Sequence, residues 1–209
     1  SMATKNKKVV TIVGARKCPK AGLEEIGKIA SELAAAGYTL RSGAAPGCDQ
    51  MAELKFREHH AAASSDPEPF MEIFLPWKGF EGSNSELFGA PDEAFEMAAE
   101  VHPKWDSVSP GAQKLHARNV GQVLGRDLKS PSNFLIFWSE PNKFDGGIDG
   151  GTRTAVELAK KNNVPVYNVF THTLSLSKKG EIVATPKEVK AAPVYTTPEV
   201  DDSSEEIPF

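Results

Sequence analysis

Cysteine is scarce in this sequence, and its scarcity argues against two classes of protein. The 209 residues contain only Cys18 and Cys48. Their spacing matches no zinc motif, and one pair does not make a disulfide framework, so we expect reduced thiols in a cytosolic protein. The five histidines, at positions 59, 60, 102, 116 and 172, lack a metal-binding spacing such as HExxH. The sequence therefore predicts neither a bound metal nor another cofactor.

Long apolar runs and targeting signals are also missing. No segment approaches the length of a membrane span, and the N-terminus does not resemble a signal peptide. We therefore expect a cytoplasmic protein without membrane contacts. The turn after the first apolar run reads GARKCP rather than GxGxxG, so the dinucleotide-binding fingerprint is absent as well.

The sequence also lacks an excess of basic residues. The formal net charge is −4, and the last 17 residues hold five acidic residues and neither lysine nor arginine. Without that tail the net charge is +1. A large basic nucleic-acid face is therefore not indicated, and we expect at most weak binding of single-stranded DNA.

Apolar strand-like runs alternate with helical patterns along most of the chain. This alternation predicts an α/β protein with a Rossmann-like, doubly wound and mostly parallel sheet. We expect one domain over 8–185, a flexible N-terminus over 1–7 and a flexible acidic tail over 186–209. The predicted strands are 8–14, 38–43, 70–76, 133–138 and 164–169, followed by a hairpin with its turn at Lys179-Gly180. The predicted helices are 21–37, 48–63, 91–100, 111–129 and 151–163.

Glycines and small residues follow three of the predicted strands, where helices begin. Ligands of doubly wound sheets bind beyond the carboxyl ends of the strands. Glycine allows close approach to the backbone, and free amides at a helix start favour phosphate. The three turns together predict a phosphate-bearing ligand. The residues concerned are Gly14, Ala15 and Arg16; Ser42, Gly43, Gly47 and Asp49; and Gly150, Gly151 and Thr152.

The predicted helix over 111–129 separates into faces. At about 100° per residue, an apolar stripe forms on one side. Arg118 and Asn119 lie on another side, near enough to the N-terminal half to reach a pocket, whereas Gln122 and Arg126 are expected on a solvated face. The stripe consists of Val120, Val123, Leu124 and Leu128.

Glu157 has two interpretations from the sequence. It follows Arg153 by four residues, which is the spacing of an ion pair on a helix surface. A carboxylate of the ligand pocket is equally compatible with its position in the chain.

The chain from about residue 8 to 170 resembles the SLOG superfamily of Rossmann-like nucleotide-binding domains. The segment LHARN and the segment GGTRTAVE resemble motifs of its Lonely Guy phosphoribohydrolases. The segments IVGARK and SGAAPGCD, together with the Arg118-Asn119 pair, resemble its DNA-processing A recombination mediators. The resemblance therefore implies the superfamily and leaves its branch open.

The hydrolase motifs imply roles for individual residues. Arg118 and Glu157 occupy the catalytic positions, and glycines 150 and 151 with Thr152 and Thr154 would hold a 5′-phosphate. Arg153 stands where the hydrolases have glycine, so it either adds a phosphate contact or blocks close approach of the ligand. The implied reaction is hydrolysis of the N-glycosidic bond of a nucleoside 5′-monophosphate, through an oxocarbenium-like transition state.

The C-terminus resembles the tip of bacterial single-stranded DNA-binding proteins, in which an acidic run precedes Ile-Pro-Phe. The resemblance implies docking on host proteins that normally bind that tip, and a bacterial or phage source. A merely solubilising acidic tail is the alternative. The residues concerned are Asp201, Asp202, Glu205, Glu206, Ile207, Pro208 and Phe209.

Three functions follow as hypotheses. The first is a nucleotide N-glycosidase recruited to replication or repair proteins by its tail. The second is a non-catalytic module that binds a nucleotide, a nucleotide-derived small molecule or single-stranded DNA. The third is a competitor for proteins that bind the single-stranded DNA-binding protein. A homodimer is what the Lonely Guy resemblance implies.

Overall fold

The structure is a computed structural model that describes residues 7–176 and the backbone of 182–184. The helices are α1 (Lys20–Ala35), α2 (Cys48–Ala62), α3 (Asp92–Val101), α4 (Pro110–Leu124) and α5 (Gly150–Lys161). The strands are β1 (Val9–Gly14), β2 (Thr39–Ser42), β3 (Met71–Leu75), β4 (Leu87–Phe88), β5 (Phe134–Trp138), β6 (Val166–Asn168), β7 (Thr173–Ser175) and β8 (Ile182–Ala184). Short 3-10 helices lie at Glu68–Phe70, Phe80–Gly82 and Trp105–Ser107.

The strands form one eight-stranded sheet in the order β4-β3-β2-β1-β5-β6-β7-β8. The pairs from β4 to β6 are parallel, and the last two pairs are antiparallel. The chain runs outward from β1 to β4 and then returns to β5 on the other side of β1. The carboxyl ends of β1 and β5, where Gly14 pairs with Trp138, therefore mark the switch point at which such sheets bind ligands.

This topology confirms the predicted doubly wound, mostly parallel sheet. The predicted C-terminal hairpin is confirmed as the antiparallel pair β7 and β8. Its turn at Lys179-Gly180 and the predicted tail over 186–209 lie outside the described residues.

The core has two apolar layers, one on each face of the sheet. Ile136 and Trp138 of β5 pack into the layer beneath α1 and α2, whereas Leu135 and Phe137 pack into the layer beneath α4 and α5. Side chains of a strand alternate between faces, so a strand covered on both sides, such as β5, is predominantly apolar. Trp138 is accordingly buried, although it ends its strand. Each fully buried side chain of this size contributes roughly 1.5–3 kcal/mol relative to exposure.

Helix α4 differs from the sequence prediction in its end and in its surroundings. It ends at Leu124 rather than near Lys129, because Gly125 adopts a φ of 81° that interrupts the helix. It packs against β3, α3 and α5, so nearly every side chain from Leu115 onward is buried. The prediction of a solvated Gln122 is therefore wrong, whereas Arg126, beyond the helix end, is exposed as expected.

The segment between β3 and α4 contains more structure than predicted. Helix α3 confirms the predicted helical piece, and the two-residue strand β4 adds a parallel edge to the sheet beside β3. Cys18 and Cys48 are buried free thiols. Among the helices described, none is both long and apolar enough to cross a membrane.

Candidate functional site

A small pocket lies at the carboxyl ends of the central strands, at the switch point. Its volume is about 30 Å³, which gives room for roughly two water-sized groups. The structure brings seven of the predicted site residues to this pocket, namely Gly14, Arg16, Asp49, Arg118, Asn119, Gly151 and Thr152. Val13, Ala45 and Gln122 complete the lining and were not predicted.

Arg16 is the most conspicuous cation of the pocket. It follows Gly14 and Ala15 in the turn after β1, and the Ala15 N–H donates to the Trp138 carbonyl at 3.2 Å, which fixes that turn at the switch point. The Arg16 side chain is only 10% exposed, and its Nε and Nη2 atoms have no hydrogen-bond partner. Its Nη1 lies 3.9 Å from Glu81 Oε1, a long contact. A buried guanidinium with free donors is costly, so this side chain favours an anion in the pocket.

Gln122 is the residue that sequence reasoning missed. Its side chain is fully buried, and neither its Nε2 nor its Oε1 has a protein partner. It lies one helical turn after Arg118, on the same side of α4. That spacing was the available signal, but the sequence does not show that neighbouring helices cover this side. The Gln122 amide therefore offers the pocket both a donor and an acceptor.

Arg118 supports the walls of the pocket. Its Nη1 donates to the Gly43 carbonyl at 2.6 Å and to the Phe74 carbonyl at 3.2 Å, and its guanidinium lies 5.4 Å from the centre of the Phe80 ring. Burial lowers the pKa of Arg118 to about 10, so the side chain remains charged at neutral pH. Arg118 thus fixes the turn after β2 and the carboxyl end of β3 while adding positive charge to the pocket.

Asn119 connects α4 to the start of α5. Its Nδ2 donates to the Gly151 carbonyl at 2.9 Å, and its Oδ1 accepts from Arg118 Nε at 3.1 Å. Adjacent residues of one helix therefore hold the turn after β2, the carboxyl end of β3 and the first residues of α5.

Asp49 supplies the carboxyl group of the pocket. Its Oδ2 accepts from the Gly43 N–H at 3.1 Å and from the Ala45 N–H at 3.4 Å. Burial raises its pKa to about 6, and the nearby Arg118 and Arg16 partly oppose that rise. With both arginines charged and Asp49 ionised, these three side chains carry a net charge of +1, which becomes +2 when Asp49 is protonated.

The N-terminus of α5 adds backbone donors. Gly151 and Thr152 lie in its first turn and line the pocket. The N-cap residue Asp149 makes no side-chain cap; its Oδ1 accepts from Asn142 Nδ2 instead. Uncapped N–H groups and the positive end of the helix dipole favour negative charge at this position. Gly150 opens the helix with a φ of 65°, a conformation that favours glycine.

Ser42, Gly43 and Gly47 lie behind the pocket rather than in its lining. Ser42 Oγ donates to the Ile12 carbonyl at 2.6 Å, and Gly47 precedes α2 with a φ of 94°. A Cβ at Gly43 would collide with the side chains of Gln122 and Arg118. These residues shape the turns that carry Arg16 and Asp49.

Thr154, Arg153 and Glu157 lie away from the pocket, contrary to the prediction. Thr154 Oγ1 is 2.7 Å from His116 Nδ1, and Arg153 Nη1 donates to the Val101 carbonyl at 3.0 Å. Glu157 lies about 140° around α5 from Thr152 at 100° per residue, and it is only partly buried. The catalytic position that the hydrolase resemblance implies for Glu157 is therefore not at this pocket, because the rotation of α5 directs its side chain elsewhere. Arg153 and Glu157 do not form an ion pair either.

Potential metal ligands are not grouped into a candidate site among the described residues. Within residues 7–176, no group of three or more His, Cys, Asp or Glu side chains is arranged to hold a metal ion.

Comparison with known families supports one branch of the predicted resemblance. Residues 1–63 match the sequence model of DNA recombination-mediator protein A. This segment includes β1, α1, β2 and α2, with Arg16, Gly43 and Asp49. The resemblance to a DNA-processing A-like Rossmann domain is confirmed there. A search of curated proteins gives no match.

Solved structures with a similar backbone fold include two bacterial proteins. DNA processing protein A from Helicobacter pylori is 20% identical, with a TM-score of 0.48 over 80% of this chain and 67% of that protein. Its counterpart from Streptococcus pneumoniae is 16% identical, with a TM-score of 0.46 over 80% of this chain, which spans about half (52%) of that protein.

A third structure comes from an alga. The molybdenum cofactor carrier protein from Chlamydomonas reinhardtii is 16% identical, with a TM-score of 0.43 over 78% of this chain and 76% of that protein. The fold assignment of the present chain rests on its own sheet topology.

Proposed function

We propose that this protein binds a phosphate group of a nucleotide or of single-stranded DNA in the switch-point pocket. The observation that carries the proposal is the buried Arg16 guanidinium, whose Nε and Nη2 donors have no protein acceptor. The Gln122 amide and the uncapped start of α5 supply further donors around the same small space. The family match also supports the proposal, because the matched segment contains Arg16 and carries the description of a recombination mediator.

Titration calorimetry with thymidine 5′-monophosphate and with a short oligothymidylate tests this proposal. We expect Arg16→Ala to weaken binding by at least about tenfold, because a charged hydrogen bond contributes roughly 1.5–3 kcal/mol. Arg126→Ala is the matched control, since Arg126 is exposed and does not line the pocket. Equal affinity of the wild type and Arg16→Ala, or no binding by the wild type, would contradict the proposal.

Hydrolysis of a nucleoside 5′-monophosphate is the finer proposal that the Lonely Guy resemblance implies. The carboxyl group at the pocket is Asp49 rather than Glu157, and its pKa of about 6 suits proton transfer near neutral pH. Release of free base from common nucleoside monophosphates measures the reaction. We expect Asp49→Asn to abolish any release and Glu157→Gln to retain it. Loss with Glu157→Gln alone would restore the role that the resemblance implies.

Recruitment through the C-terminal tail is a separate proposal, supported by the sequence of the tail. Its acidic residues and terminal Ile-Pro-Phe suit a partner pocket that is apolar with a basic rim. We expect a peptide with the tip sequence of a single-stranded DNA-binding protein to compete with this tail for the same host proteins. Deletion of Phe209 should abolish their capture, whereas unchanged capture would contradict the proposal.

A further inference from the structure

Phe144 is the most exposed large apolar side chain among the described residues. It is 98% exposed, whereas the next, Leu54, is 48% exposed. Its ring buries almost no surface, so it contributes almost nothing to folding through the hydrophobic effect. Single exposed apolar residues are common on protein surfaces. Phe144 differs from them in its position, because its loop between β5 and α5 leads into the helix whose first turn lines the pocket.

The loop that carries Phe144 is closed at its base by hydrogen bonds. The Asn142 N–H donates to the Gly147 carbonyl at 2.9 Å. Asn142 Oδ1 accepts from the N–H groups of Phe144 at 3.0 Å and Asp145 at 2.9 Å. Asn142 Nδ2 donates to Asp149 Oδ1 at 2.9 Å. These hydrogen bonds hold the backbone around Phe144 in one conformation, and the loop continues directly into the start of α5.

The pocket is too small to hold a whole nucleotide, so a bound nucleotide must also contact the protein outside the pocket. With a volume of about 30 Å³, it admits a few ligand atoms and no nucleobase. The buried Arg16 and Gln122 donors point to phosphate oxygens as those atoms. The sugar and base must then lie outside the pocket, over the loops at the carboxyl edge of the sheet, and the β5–α5 loop is one of them.

We infer that Phe144 is a stacking platform for the nucleobase of a ligand whose phosphate occupies the switch-point pocket. This inference rests on the proposed function. An aromatic ring that is exposed on a hydrogen-bonded loop provides a flat apolar face, and every base offers a matching π-face regardless of sequence. A free nucleotide and a strand present the same phosphate-and-base chemistry.

The experiment compares ligands with and without a base on the full-length protein. The ligand pairs are oligothymidylate against an abasic strand of equal length, and thymidine 5′-monophosphate against deoxyribose 5-phosphate. Stacking predicts that wild-type protein prefers each base-bearing ligand by about 5- to 150-fold. Phe144→Ala should lose that preference while retaining its affinity for the ligands without a base. A loss with the strand alone identifies a strand as the ligand, and a loss with both pairs includes the free nucleotide.

Two variants sharpen the test. Phe144→Trp should keep the preference, and the fluorescence of the introduced indole should be quenched by thymidine ligands but not by abasic ones. Leu54→Ala is the matched control, because Leu54 is also exposed and apolar but lies on α2.

Three outcomes overturn the inference. Unchanged base preference in Phe144→Ala shows that stacking occurs elsewhere or not at all. Equal weakening of ligands with and without a base shows that Phe144 acts through the loop rather than on the base. No binding of any of these ligands by wild-type protein refutes the proposed function, and the inference fails with it.

Discussion

Replacement of Gln122 by leucine should make the protein more stable and bind its ligand less well. The Gln122 side chain is fully buried, and both of its polar atoms lack protein partners. A buried polar group without a partner costs about 1–3 kcal/mol, and leucine has a similar volume without that cost. We therefore expect Gln122→Leu to raise the free energy of unfolding by about 1–2 kcal/mol. For a protein of this size, the melting temperature should rise by roughly 2–4 °C per kcal/mol.

Urea unfolding of the free protein measures this effect through a higher midpoint at an unchanged m-value. Gln113→Leu is the matched control on the same helix. Gln113 Nε2 donates to the Trp105 carbonyl at 3.2 Å, so its replacement should destabilise the protein by about 0.5–1.5 kcal/mol. In parallel, oligothymidylate should bind Gln122→Leu about 3- to 10-fold more weakly, since a neutral hydrogen bond is lost.

A decrease in stability of more than about 1 kcal/mol in Gln122→Leu would refute this reasoning, since it would show that the amide is well satisfied in the free protein. A stabilised Gln122→Leu variant with unchanged affinity would contradict only the role in binding. It would show that burial of Gln122 lowers the stability of the protein without contributing to ligand affinity.

Three further predictions concern charge and packing. Oligothymidylate should bind more tightly as pH falls from 8 towards 5. Protonation of Asp49, whose pKa is about 6, removes negative charge beside Arg16, while phosphodiesters keep their charge. Calorimetry should show this rise in affinity in the wild-type protein, and Asp49→Asn should make the affinity nearly independent of pH. Gly43→Ala should destabilise the protein by about 1–3 kcal/mol in urea, because the new Cβ collides with buried side chains, whereas Gly111→Ala, with open space around it, should not. Burial, with the charge of neighbouring His102, lowers the pKa of His116 to about 4, below its value of about 6.5 in the unfolded chain. The stability that the neutral imidazole contributes is therefore complete above pH 6.5 and lost as pH falls towards 4, so unfolding midpoints should fall less steeply over that range in His116→Gln.

The fold was largely predictable because its central strands are buried on both faces. Such strands are predominantly apolar, as FLIFW of β5 is, and the helices between them keep a helical spacing of apolar residues. Strand β4 was missed because two residues carry no periodic pattern. The early end of α4 was missed because glycine within a helical pattern does not reveal its backbone angle, which at Gly125 is a φ of 81°.

Site residues in the turns after the strands were predictable from the sequence. Site residues on the helices were less predictable, because their environment depends on how the helices pack. Gly14, Gly151 and Asp49 follow strand ends, so the topology alone brings them together. Gln122 and Glu157 were misplaced because the environment of a helical side chain depends on how the helix is rotated and on what covers it. One helix, α4, is covered on nearly all sides, and the other, α5, turns Glu157 away from the pocket.

The paired bonds of Arg118 and Asn119 have a consequence for the kinetics of recognition. These neighbours already tie the turn after β2 and the carboxyl end of β3 to the start of α5. The protein therefore needs little rearrangement when a ligand binds. Most of the entropy lost on association then belongs to the ligand. Variants of the pocket should consequently differ from the wild type mainly in how long a ligand stays bound, with association rates that remain close to one another.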